Sequence, residues 1–359
     1  MKILYLGGES ANWVVNLCNE LCTLGHEVTC VTQGLDEYDS ENPVDLHKNL
    51  KKINVDYKDF MVADRMKNKL IVTLTNEKFD IIVGSHAPVS TAVSELSKLL
   101  GIPYVIMLLD IPTDLMRTAR FRTMTWFKWF ESMKFADGII FNTYVARDEY
   151  QKYTGQYFDD SYVIPYAINM PEEYDNSGID IKGDYVLSVC RLTDIKNCGE
   201  IALALAHLEK PLKYIAVGRD RGALANMKEA CGHYNIPFEH REMVTEKEKF
   251  ELIKNCAMLI YPQQTEYIAG LSPLEAMYCG KPALVRNYKI LRDLYGRHAV
   301  YYNNTAASLA DTISIIRGIH KRIIKPKLEE ANKYVKQIAS FKLMATRMND
   351  VLKKAVTIR

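Results

Sequence analysis

Short apolar runs alternate with segments of helical periodicity along the first half of this chain. The apolar runs cover residues 2–6, 28–32, 80–83, 103–108, 138–141 and 162–164, and the helical segments lie near 11–24, 61–77, 88–100, 115–135 and 144–153. Strands that alternate with helices pair in parallel, because each helix carries the chain back along the sheet. The pattern therefore predicts a doubly wound parallel sheet with helices on both faces.

The same alternation starts again after residues 165–183, which are rich in Pro, Asn, Glu and Gly. New apolar runs occupy 185–189, 214–217, 258–260 and 283–285. A chain of 359 residues exceeds the usual size of a single core, so we expect two Rossmann-like α/β domains. Ligands of open parallel sheets bind beyond the carboxyl ends of the strands, and we expect a cleft between the two domains to hold the substrates.

The composition is that of a globular protein with reduced cysteines and no membrane span. Hydrophobic residues make up 48% of the chain and the net charge is +2, which is ordinary for a globular protein and does not by itself indicate a nucleic-acid partner. The eight cysteines include no C-x-x-C and mostly fall in apolar runs, so we predict buried, reduced thiols. There is no run of about 18 apolar residues, and the chain starts on a strand rather than a signal peptide. We expect a cytoplasmic protein.

Residues 257–285 join a predicted buried strand to a short helix that carries polar groups. Gly270 breaks the loop between them, and Ser272 with Glu275 three residues later has the pattern of a capping box. Free backbone N–H groups near Leu271 and Ser272 would suit an anion or a sugar hydroxyl. The alternative is that Glu275 only caps its own helix and that Glu266 is a solvated loop carboxylate.

Polar or glycine-containing loops follow several other predicted strands. Gly7 and Gly8 follow the first strand, where a tight turn is the simpler explanation because the full G-x-G-x-x-G is absent. Arg191 and Lys196 follow the strand at 185–189, and Gly218 follows the strand at 214–217. Two cations at one strand end could bind one diphosphate.

Taken together, these segments resemble the retaining glycosyltransferases of family 4, which have the GT-B fold. Residues 270–282 are similar to the second half of the family's E-x7-E region, and Arg191 with Lys196 resembles its R-x4-K motif. Residues 136–143 and 163–169 resemble the family's A-D-x-I-I-x-x-S strand and its V-I-P-N-G-V-D linker entry. The resemblance covers nearly the whole chain and occurs in the family's order.

The resemblance implies domain boundaries. We predict an N-terminal acceptor-side domain over 1–172 and a C-terminal nucleotide-sugar domain over 173–338. Residues 328–354 have the pattern of a helix broken near Ser340. In the family such a helix returns to the N-terminal domain, so we predict that residues 339–359 do the same.

The resemblance also implies roles for particular residues. Arg191 and Lys196 would bind the nucleotide diphosphate and stabilise the charge on the leaving phosphate, with Glu275 accepting from the ribose hydroxyls. Glu266, or the backbone around Gly270, Leu271 and Ser272, would contact the donor sugar. Gly7, Gly8 and Gly218 would allow close approach of the donor or acceptor to the backbone.

The implied reaction is retaining transfer of a hexosyl or pentosyl group from a UDP- or GDP-sugar to a hydroxyl. The diphosphate itself would help to take the acceptor proton, so the enzyme needs no nucleophile. No D-x-D motif occurs, which fits a metal-independent enzyme without a cofactor.

The chain departs from the family pattern at two positions. Glu266 lies nine residues before Glu275, whereas the family spacing is eight, and Tyr267 occupies the family's acidic position. The family's histidine after the strand near residue 108 is replaced by Leu109-Asp110, so His86 and Asp110 are the nearest candidates for a donor or acceptor contact.

The acceptor stays open among lipid-linked, polysaccharide and modified nucleic-acid molecules. Residues 114–134 are basic and aromatic, with Trp126, Phe130 and Met133 at helical spacing, and such a helix suits an anionic membrane surface or a phosphate backbone. The alternative, which we favour, is a helix that packs its aromatic stripe into the domain.

Two other functions also fit the sequence. One is a GT-B enzyme of another class, such as a sugar-nucleotide epimerase. The other is a catalytically inactive nucleotide-sugar-binding protein in which the lengthened 266–275 loop has lost activity. The sugar, the base and the oligomeric state are left open by the sequence.

Overall fold

A computed structural model describes most of the chain, and the described residues fall into two units. The first unit comprises residues 1–166 and 341–359, and the second comprises residues 167–340. The domain limits of 172 and 338 stay predictions. The described ranges are 1–8, 10–33, 42–56, 63–74, 77–85, 87–109, 123–158, 160–177, 179, 183–265 and 269–358.

The first unit contains a sheet of seven parallel strands in the order β3-β2-β1-β4-β5-β6-β7. The strands are β1 (Lys2–Gly7), β2 (Glu27–Gln33), β3 (Leu50–Val55), β4 (Ile81–Ser85), β5 (Tyr104–Leu108), β6 (Gly138–Phe141) and β7 (Tyr162–Val163). Within the described ranges its helices are α1 (Ala11–Thr23), α2 (Ala63–Leu74), α3 (Ala87–Leu100), α4 (Thr123–Lys134), α5 (Tyr144–Thr154) and, from the end of the chain, α13 (Phe341–Ile358).

The second unit contains a sheet of six parallel strands in the order β10-β9-β8-β11-β12-β13. The strands are β8 (Tyr185–Val189), β9 (Lys213–Val217), β10 (Phe238–Arg241), β11 (Met258–Tyr261), β12 (Ala283–Arg286) and β13 (Val300–Tyr302). Its helices are α6 (Gly199–Ala206), α7 (Leu224–His233), α8 (Glu246–Asn255), α9 (Ser272–Tyr278), α10 (Lys289–Tyr295), α11 (Ala306–Gly318) and α12 (Lys321–Ile338).

The predicted fold class, with two doubly wound parallel sheets, is confirmed. The sequence pattern missed three strands, β3, β10 and β13, and each of them lies at an edge of its sheet. The reason is burial: β1 is buried from its second residue to its last, whereas every residue of β10 is only partly buried. An edge strand needs no continuous apolar run, because its side chains meet water as well as the core.

The C-terminal helices break where the sequence predicts. Helix α12 ends at Ile338 and α13 begins at Phe341, so the break falls at residues 339–340. Within the first unit, α13 packs against α1, where the ring centroids of Trp13 and Phe341 are 5.7 Å apart. His26 Nε2 lies 2.8 Å from Asn349 Oδ1 and adds a polar link between the end of α1 and α13.

Each sheet reverses its direction of winding at one point. In the first sheet the reversal lies between β1 and β4, which pair from Ile3 with Ile81 to Gly7 with Ser85. In the second it lies between β8 and β11. Loops that leave neighbouring strands at such a point diverge to opposite faces and leave a crevice between them. This is the place in each sheet where a ligand site is expected.

Candidate functional site

Two loops meet at the reversal point of the second sheet. One follows β8 and carries Arg191 and Lys196, and the other follows β11 and leads towards Glu275. The backbone N–H of Gln264 donates a 2.9 Å hydrogen bond to the carbonyl oxygen of Ile195. This bond brings together two sequence segments that are more than sixty residues apart, and the predicted diphosphate loop therefore lies beside the predicted donor-sugar loop.

The backbone around Arg191 is fastened to the loop that follows β9. The N–H of Cys190 donates to Val217 at 3.0 Å, and that of Leu192 donates to Arg219 at 2.9 Å. Gly218, between those acceptors, has φ +136°, and a Cβ at this position would lie 2.0 Å from the carbonyl oxygen of Cys190. Gly218 thus lets two backbones touch, and its predicted contact with the donor stays a prediction.

The side chain of Arg191 is exposed. Its guanidinium makes no hydrogen bond or ion pair with any residue in the described part of the chain. An arginine in this state presents its donors to solvent, and a planar fork of N–H groups matches the oxygens of a phosphate. The position suits anion binding at the carboxyl end of β8.

Lys196, in contrast, is held by its neighbours. It ends a 3-10 turn over Asp194–Lys196, and the next residue, Asn197, has the left-handed φ of 49°. Its Nζ donates to the hydroxyl of Tyr261 at 2.7 Å and to Oε1 of Gln263, and it lies 4.9 Å from the centroid of the Tyr261 ring. These contacts fix the position of the ammonium group before any ligand arrives.

The buried side chain of Gln263 holds the ammonium group of Lys196 in place. Gln263 is fully buried, and its amide nitrogen donates to the carbonyl oxygen of Thr265 at 3.2 Å and to the Thr265 hydroxyl at 3.1 Å. These donor contacts orient the amide so that its oxygen faces Lys196. The roles of Gln263 and Thr265 could not be predicted from the sequence, because one glutamine in a loop carries no recognisable pattern.

The predicted capping box at Ser272 and Glu275 is wrong. Helix α9 begins at Ser272 with Leu271 as its N-cap, and no side chain caps it. The Glu275 carboxylate turns instead to helix α8, where Lys249 Nζ lies 2.8 Å from its Oε1. A charged donor holds a carboxylate more strongly than a backbone N–H does, which explains why the ion pair replaces the cap.

The Glu275–Lys249 pair is buried and belongs to a longer chain of contacts. The two side chains are 9% and 10% exposed, and Lys249 Nζ also donates to Glu246 Oε1 at 2.6 Å. Glu246 in turn accepts a 3.1 Å hydrogen bond from Asn169. Burial raises the pKa of the Glu275 carboxyl above its ordinary value, and the charge of Lys249 acts in the opposite direction. Among the described residues, Glu275 Oε2 receives no hydrogen bond, so it can accept one from a ligand.

Gly270 is required by packing within the loop. A Cβ at this position would lie 2.5 Å from the ring of Tyr261, and the carbonyl oxygen of Gly270 accepts a 2.6 Å hydrogen bond from Tyr295. Tyr261 is the residue whose hydroxyl binds Lys196, so Gly270 and Lys196 lie on the same aromatic ring. Contacts of Gly270, Leu271 and Ser272 with a donor stay predictions.

A buried ion pair that the sequence analysis missed lies beside these loops. Arg286, at the end of β12, donates to Glu200 Oε2 at 2.6 Å and 3.2 Å, and both side chains are less than 10% exposed. Arg286 also donates to the hydroxyl of Tyr288, which donates to the Gln264 carbonyl oxygen at 3.0 Å. Burial opposes the charge of Arg286, but the contacts with Glu200 and Tyr288 raise its pKa above the ordinary value.

Of the remaining predicted site residues, the structure describes the two glycines after the first strand but not Glu266, His86 or Asp110. Gly7 ends β1, where a Cβ would lie 2.4 Å from the side chain of Val14, and Gly8 follows it half-buried. Glu266, His86 and Asp110 lie outside the described residues, so their roles stay predictions.

Only part of the basic aromatic segment at 114–134 is described. Within helix α4, Trp129 is 4% exposed and Met133 is 1% exposed. Trp129 stacks on Phe130 with ring centroids 5.4 Å apart and meets Tyr150 edge to face. This end of the helix therefore packs an apolar face into the first unit.

The described residues contain neither a metal-binding cluster nor a membrane-spanning helix. No group of three or more His, Cys, Asp or Glu side chains there is arranged to hold a metal ion. Nor does any helix within the described ranges have the length and apolar character needed to span a bilayer.

Sequence comparison matches both halves of the chain to protein families. Residues 10–170 match the family described as Glycosyltransferase Family 4, and residues 169–337 match Glycosyl transferases group 1. The two matches together cover most of the chain and meet near the division between the two units. A search of curated proteins gives no match.

Solved structures with the same fold cover almost all of the chain at low sequence identity. HepE from Anabaena, solved with UDP and glucose, has a TM-score of 0.79 at 16% identity, over 98% of this chain and 99% of its own. Sucrose-phosphate synthase from Thermosynechococcus elongatus has a TM-score of 0.81 at 13% identity, over 100% of both chains. A glycosyltransferase from Rickettsia africae has a TM-score of 0.77 at 14% identity, over 100% of this chain and 99% of its own.

Proposed function

Because this chain is a glycosyltransferase of the family 4 type with the GT-B fold, we propose that it moves a sugar from a nucleoside-diphosphate sugar to an acceptor hydroxyl. We propose further that the anomeric configuration is retained and that no metal ion takes part. The donor is held by the second unit.

One observation carries this proposal. Arg191 and Lys196 lie on a loop that is hydrogen-bonded, through Ile195 and Gln264, to the segment leading to Glu275. Two cations and one carboxylate acceptor at neighbouring strand ends match the two polar parts of a nucleoside diphosphate. The cations suit the diphosphate, and the carboxylate suits the ribose hydroxyls.

The cations would act on the leaving group. As the bond from the sugar C1 to the diphosphate oxygen breaks, negative charge grows on that oxygen. Lys196 is already fixed by Tyr261 and Gln263. It can stabilise this charge without reorganising, and Arg191 can add a two-pronged contact. The new bond forms between C1 and the acceptor oxygen, and the acceptor proton passes to the departing phosphate oxygen.

The donor contacts follow from the same geometry. Glu275 Oε2 would accept from the ribose, and Glu266 or the backbone at 268–272 would contact the sugar hydroxyls. HepE, whose structures hold UDP, UDP with glucose, and UDP-glucose, supports a UDP-sugar as the first donor to test. GDP-sugars are the second class.

A thermal-shift screen of nucleoside-diphosphate sugars tests the proposal. A ligand that binds only the folded state raises the Tm by mass action, and about 100 Kd of free ligand adds roughly 2.7 kcal/mol to the free energy of unfolding. We expect one or more UDP- or GDP-sugars to raise the Tm and the matching free sugar to leave it unchanged. A screen in which no nucleotide sugar shifts the Tm would contradict the proposal.

Mechanism is tested on the donor that the screen identifies. Turnover should survive an excess of EDTA, because Arg191 and Lys196 supply the positive charge, and loss of activity that added Mg²⁺ restores would overturn metal independence. The anomeric proton coupling of the product in NMR shows whether the configuration is retained.

Product analysis separates this function from the two alternatives. An epimerase converts the nucleotide sugar without an acceptor, and an inactive binding protein raises the Tm without any turnover. The acceptor is best sought among lipid-linked, polysaccharide and nucleic-acid hydroxyls. Activity with a lipid-linked acceptor would favour peripheral contact with a membrane.

A further inference from the structure

Two cysteines stand at the ends of the loop that carries Arg191 and Lys196. Cys190 follows β8 and is half-buried, and Cys198 precedes α6 and is 1% exposed. Their Sγ atoms are 3.4 Å apart, and both thiols are free. The sequence pattern did not indicate a pair, because eight positions separate the two residues and no C-x-x-C is present. The 3-10 turn at Asp194–Lys196 and the left-handed Asn197 fold the loop back and bring the thiols together.

We propose that hydrogen peroxide converts Cys190 and Cys198 into a reversible disulfide. This bond weakens binding of the donor diphosphate by the loop between the two cysteines. The consequence for binding rests on the proposed function, whereas formation of the disulfide does not. The cysteines thus form a modification site built into the donor-binding loop.

The surroundings of the two thiols indicate which of them reacts first with peroxide. The hydrogen bond from Cys198, with the nearby charges of Lys196 and Arg191, lowers the pKa of the Cys190 thiol below its ordinary value. The same hydrogen bond and burial raise the pKa of Cys198. Since the thiolate is the nucleophile, Cys190 is the sulfur that reacts with peroxide.

The chemistry balances in two steps. The Cys190 thiolate attacks one oxygen of hydrogen peroxide, the O–O bond breaks, and the thiol becomes a sulfenic acid with release of one water. Cys198 then attacks the Cys190 sulfur, the S–O bond breaks, and a second water leaves. The two thiols together lose two electrons and two protons to one peroxide. A dithiol such as dithiothreitol reverses the reaction by thiol–disulfide exchange.

We expect disulfide formation to displace residues 191–197 while the backbone of Cys190 stays in place. A disulfide bond is about 2.05 Å long, so the sulfurs must approach each other by roughly 1.4 Å. The backbone of Cys190 is held by the 3.0 Å hydrogen bond from its N–H to the carbonyl oxygen of Val217 and lies close to Gly218. The adjustment therefore falls on Cys198 and residues 191–197, including Lys196, whose carbonyl oxygen lies 3.8 Å from Cys198 Sγ. Displacement of about 1 Å at such a site can cost on the order of 10²-fold in activity.

Peptide mapping of the full-length protein tests the disulfide directly. Trypsin cleaves after Arg191 and Lys196, so the two cysteines fall on different peptides and appear as one linked pair only when oxidised. After treatment with hydrogen peroxide we expect the linked pair, lighter by two hydrogens than the sum of its parts, and its loss on addition of dithiothreitol. Absence of the linked pair while other thiols are oxidised would overturn the proposal.

Donor binding is measured on the same samples by calorimetry with UDP. We expect the oxidised protein to bind UDP about tenfold or more weakly than the reduced protein, because a displaced Lys196 makes a weaker charge-assisted contact with the diphosphate. A Cys190→Ser variant should form no linked pair and lose this peroxide effect. Cys231→Ala, which removes a thiol buried elsewhere in the same core, should behave as the wild type.

The outcomes separate the two proposals. A linked pair with unchanged UDP affinity would overturn the regulatory role. If the reduced protein binds neither UDP nor GDP, the proposed function fails, while peptide mapping still decides whether the disulfide forms. If Cys190→Ser keeps the full peroxide effect on binding, another thiol is responsible and the assignment to Cys190 is wrong.

Discussion

Lys249 donates a 2.8 Å hydrogen bond to Glu275 at a place where neither side chain is more than about one-tenth exposed. The carboxylate that we propose for the ribose is therefore held by a lysine from the preceding helix, and not by the start of its own helix. Such an arrangement fixes one carboxylate oxygen and leaves the other for a ligand. It also makes the charge of Glu275 depend on Lys249.

Replacing Lys249 by methionine should destabilise the protein. The change leaves a buried carboxylate without its cation, and removing one partner of a buried ion pair typically costs about 3–5 kcal/mol in the free energy of unfolding. Urea denaturation measures this difference. Lys254→Met on the same helix is the matched control, because its pair with Glu251 is longer, at 3.8 Å, and exposed. The control should cost at most about 1 kcal/mol, and equal losses in the two variants would contradict the role of burial.

The Glu200–Arg286 pair should behave in the same way and should also shape the donor loop. Arg286→Met leaves Glu200 without its cation and breaks the path through Tyr288 to the Gln264 carbonyl oxygen. We expect a loss of about 3–5 kcal/mol in urea denaturation. Replacing both partners by Leu and Met should restore part of it, since the buried charge is then gone. The control Arg297→Met breaks an exposed pair with Glu330 and should change stability little.

Gly218→Ala should displace Arg191 through the backbone. The added Cβ would lie 2.0 Å from the Cys190 carbonyl oxygen, so one of the two strand ends must move. We expect a lower Tm and weaker binding of UDP. Gly222→Ala is the matched control: its φ of +105° is also unfavourable for alanine, but nothing lies within 4 Å of its added Cβ. A loss of UDP affinity in both variants would point to backbone strain rather than to the contact with Cys190.

Arg191→Ala should reduce activity without reducing stability. The side chain is exposed and makes no hydrogen bond with the described residues, so the Tm should stay close to that of the wild type. Removing a donor that stabilises transition-state charge typically lowers kcat by about 10²–10³-fold, and we expect a loss of this order. Arg221→Ala, an exposed arginine on a neighbouring loop, should keep full activity. Wild-type turnover by Arg191→Ala would remove Arg191 from the mechanism.

Acid should reduce the contribution of Asp220 to stability. Its carboxylate accepts from the backbone N–H of Leu224 at 3.1 Å and of Gly222 at 2.9 Å, and these bonds lower its pKa below the ordinary value. A carboxyl whose pKa is lower in the folded state stabilises the protein above its unfolded pKa, and the effect is lost as the pH falls through the folded value. The difference in Tm between wild type and Asp220→Asn should therefore be constant above about pH 5 and shrink below about pH 3.9. A difference that grows on acidification would contradict this assignment.

Sequence patterns were sufficient for the strands at the centre of each sheet. Strands such as β1 and β11 are covered on both faces, so their residues must be apolar in an unbroken run. The break between α12 and α13 was likewise visible. Edge strands such as β3 were not predicted, because they contain exposed or partly buried polar residues, including Lys51 and Lys52, beside the apolar ones.

The order of motifs along the chain was enough to nominate Arg191, Lys196 and Glu275, since each follows a strand whose carboxyl end is a natural ligand site. The partners of these residues could not be read in the same way. Glu275 and Lys249 are 26 positions apart, Arg286 and Glu200 are 86 apart, and no spacing rule links either pair. Local capping rules even suggested the wrong partner for Glu275.

The stretch at 257–285 was recognisable from its residues alone as a strand, a loop and a short helix with a carboxylate, because apolar runs, glycines and prolines act on their immediate neighbours. Its surroundings were decided by the tertiary structure. Parallel pairing of β8 with β11 places the loop at 190–198 against it, and helix α8 brings Lys249 to Glu275. Buried charges and thiols must find partners wherever the fold supplies them, and those partners come from distant parts of the chain.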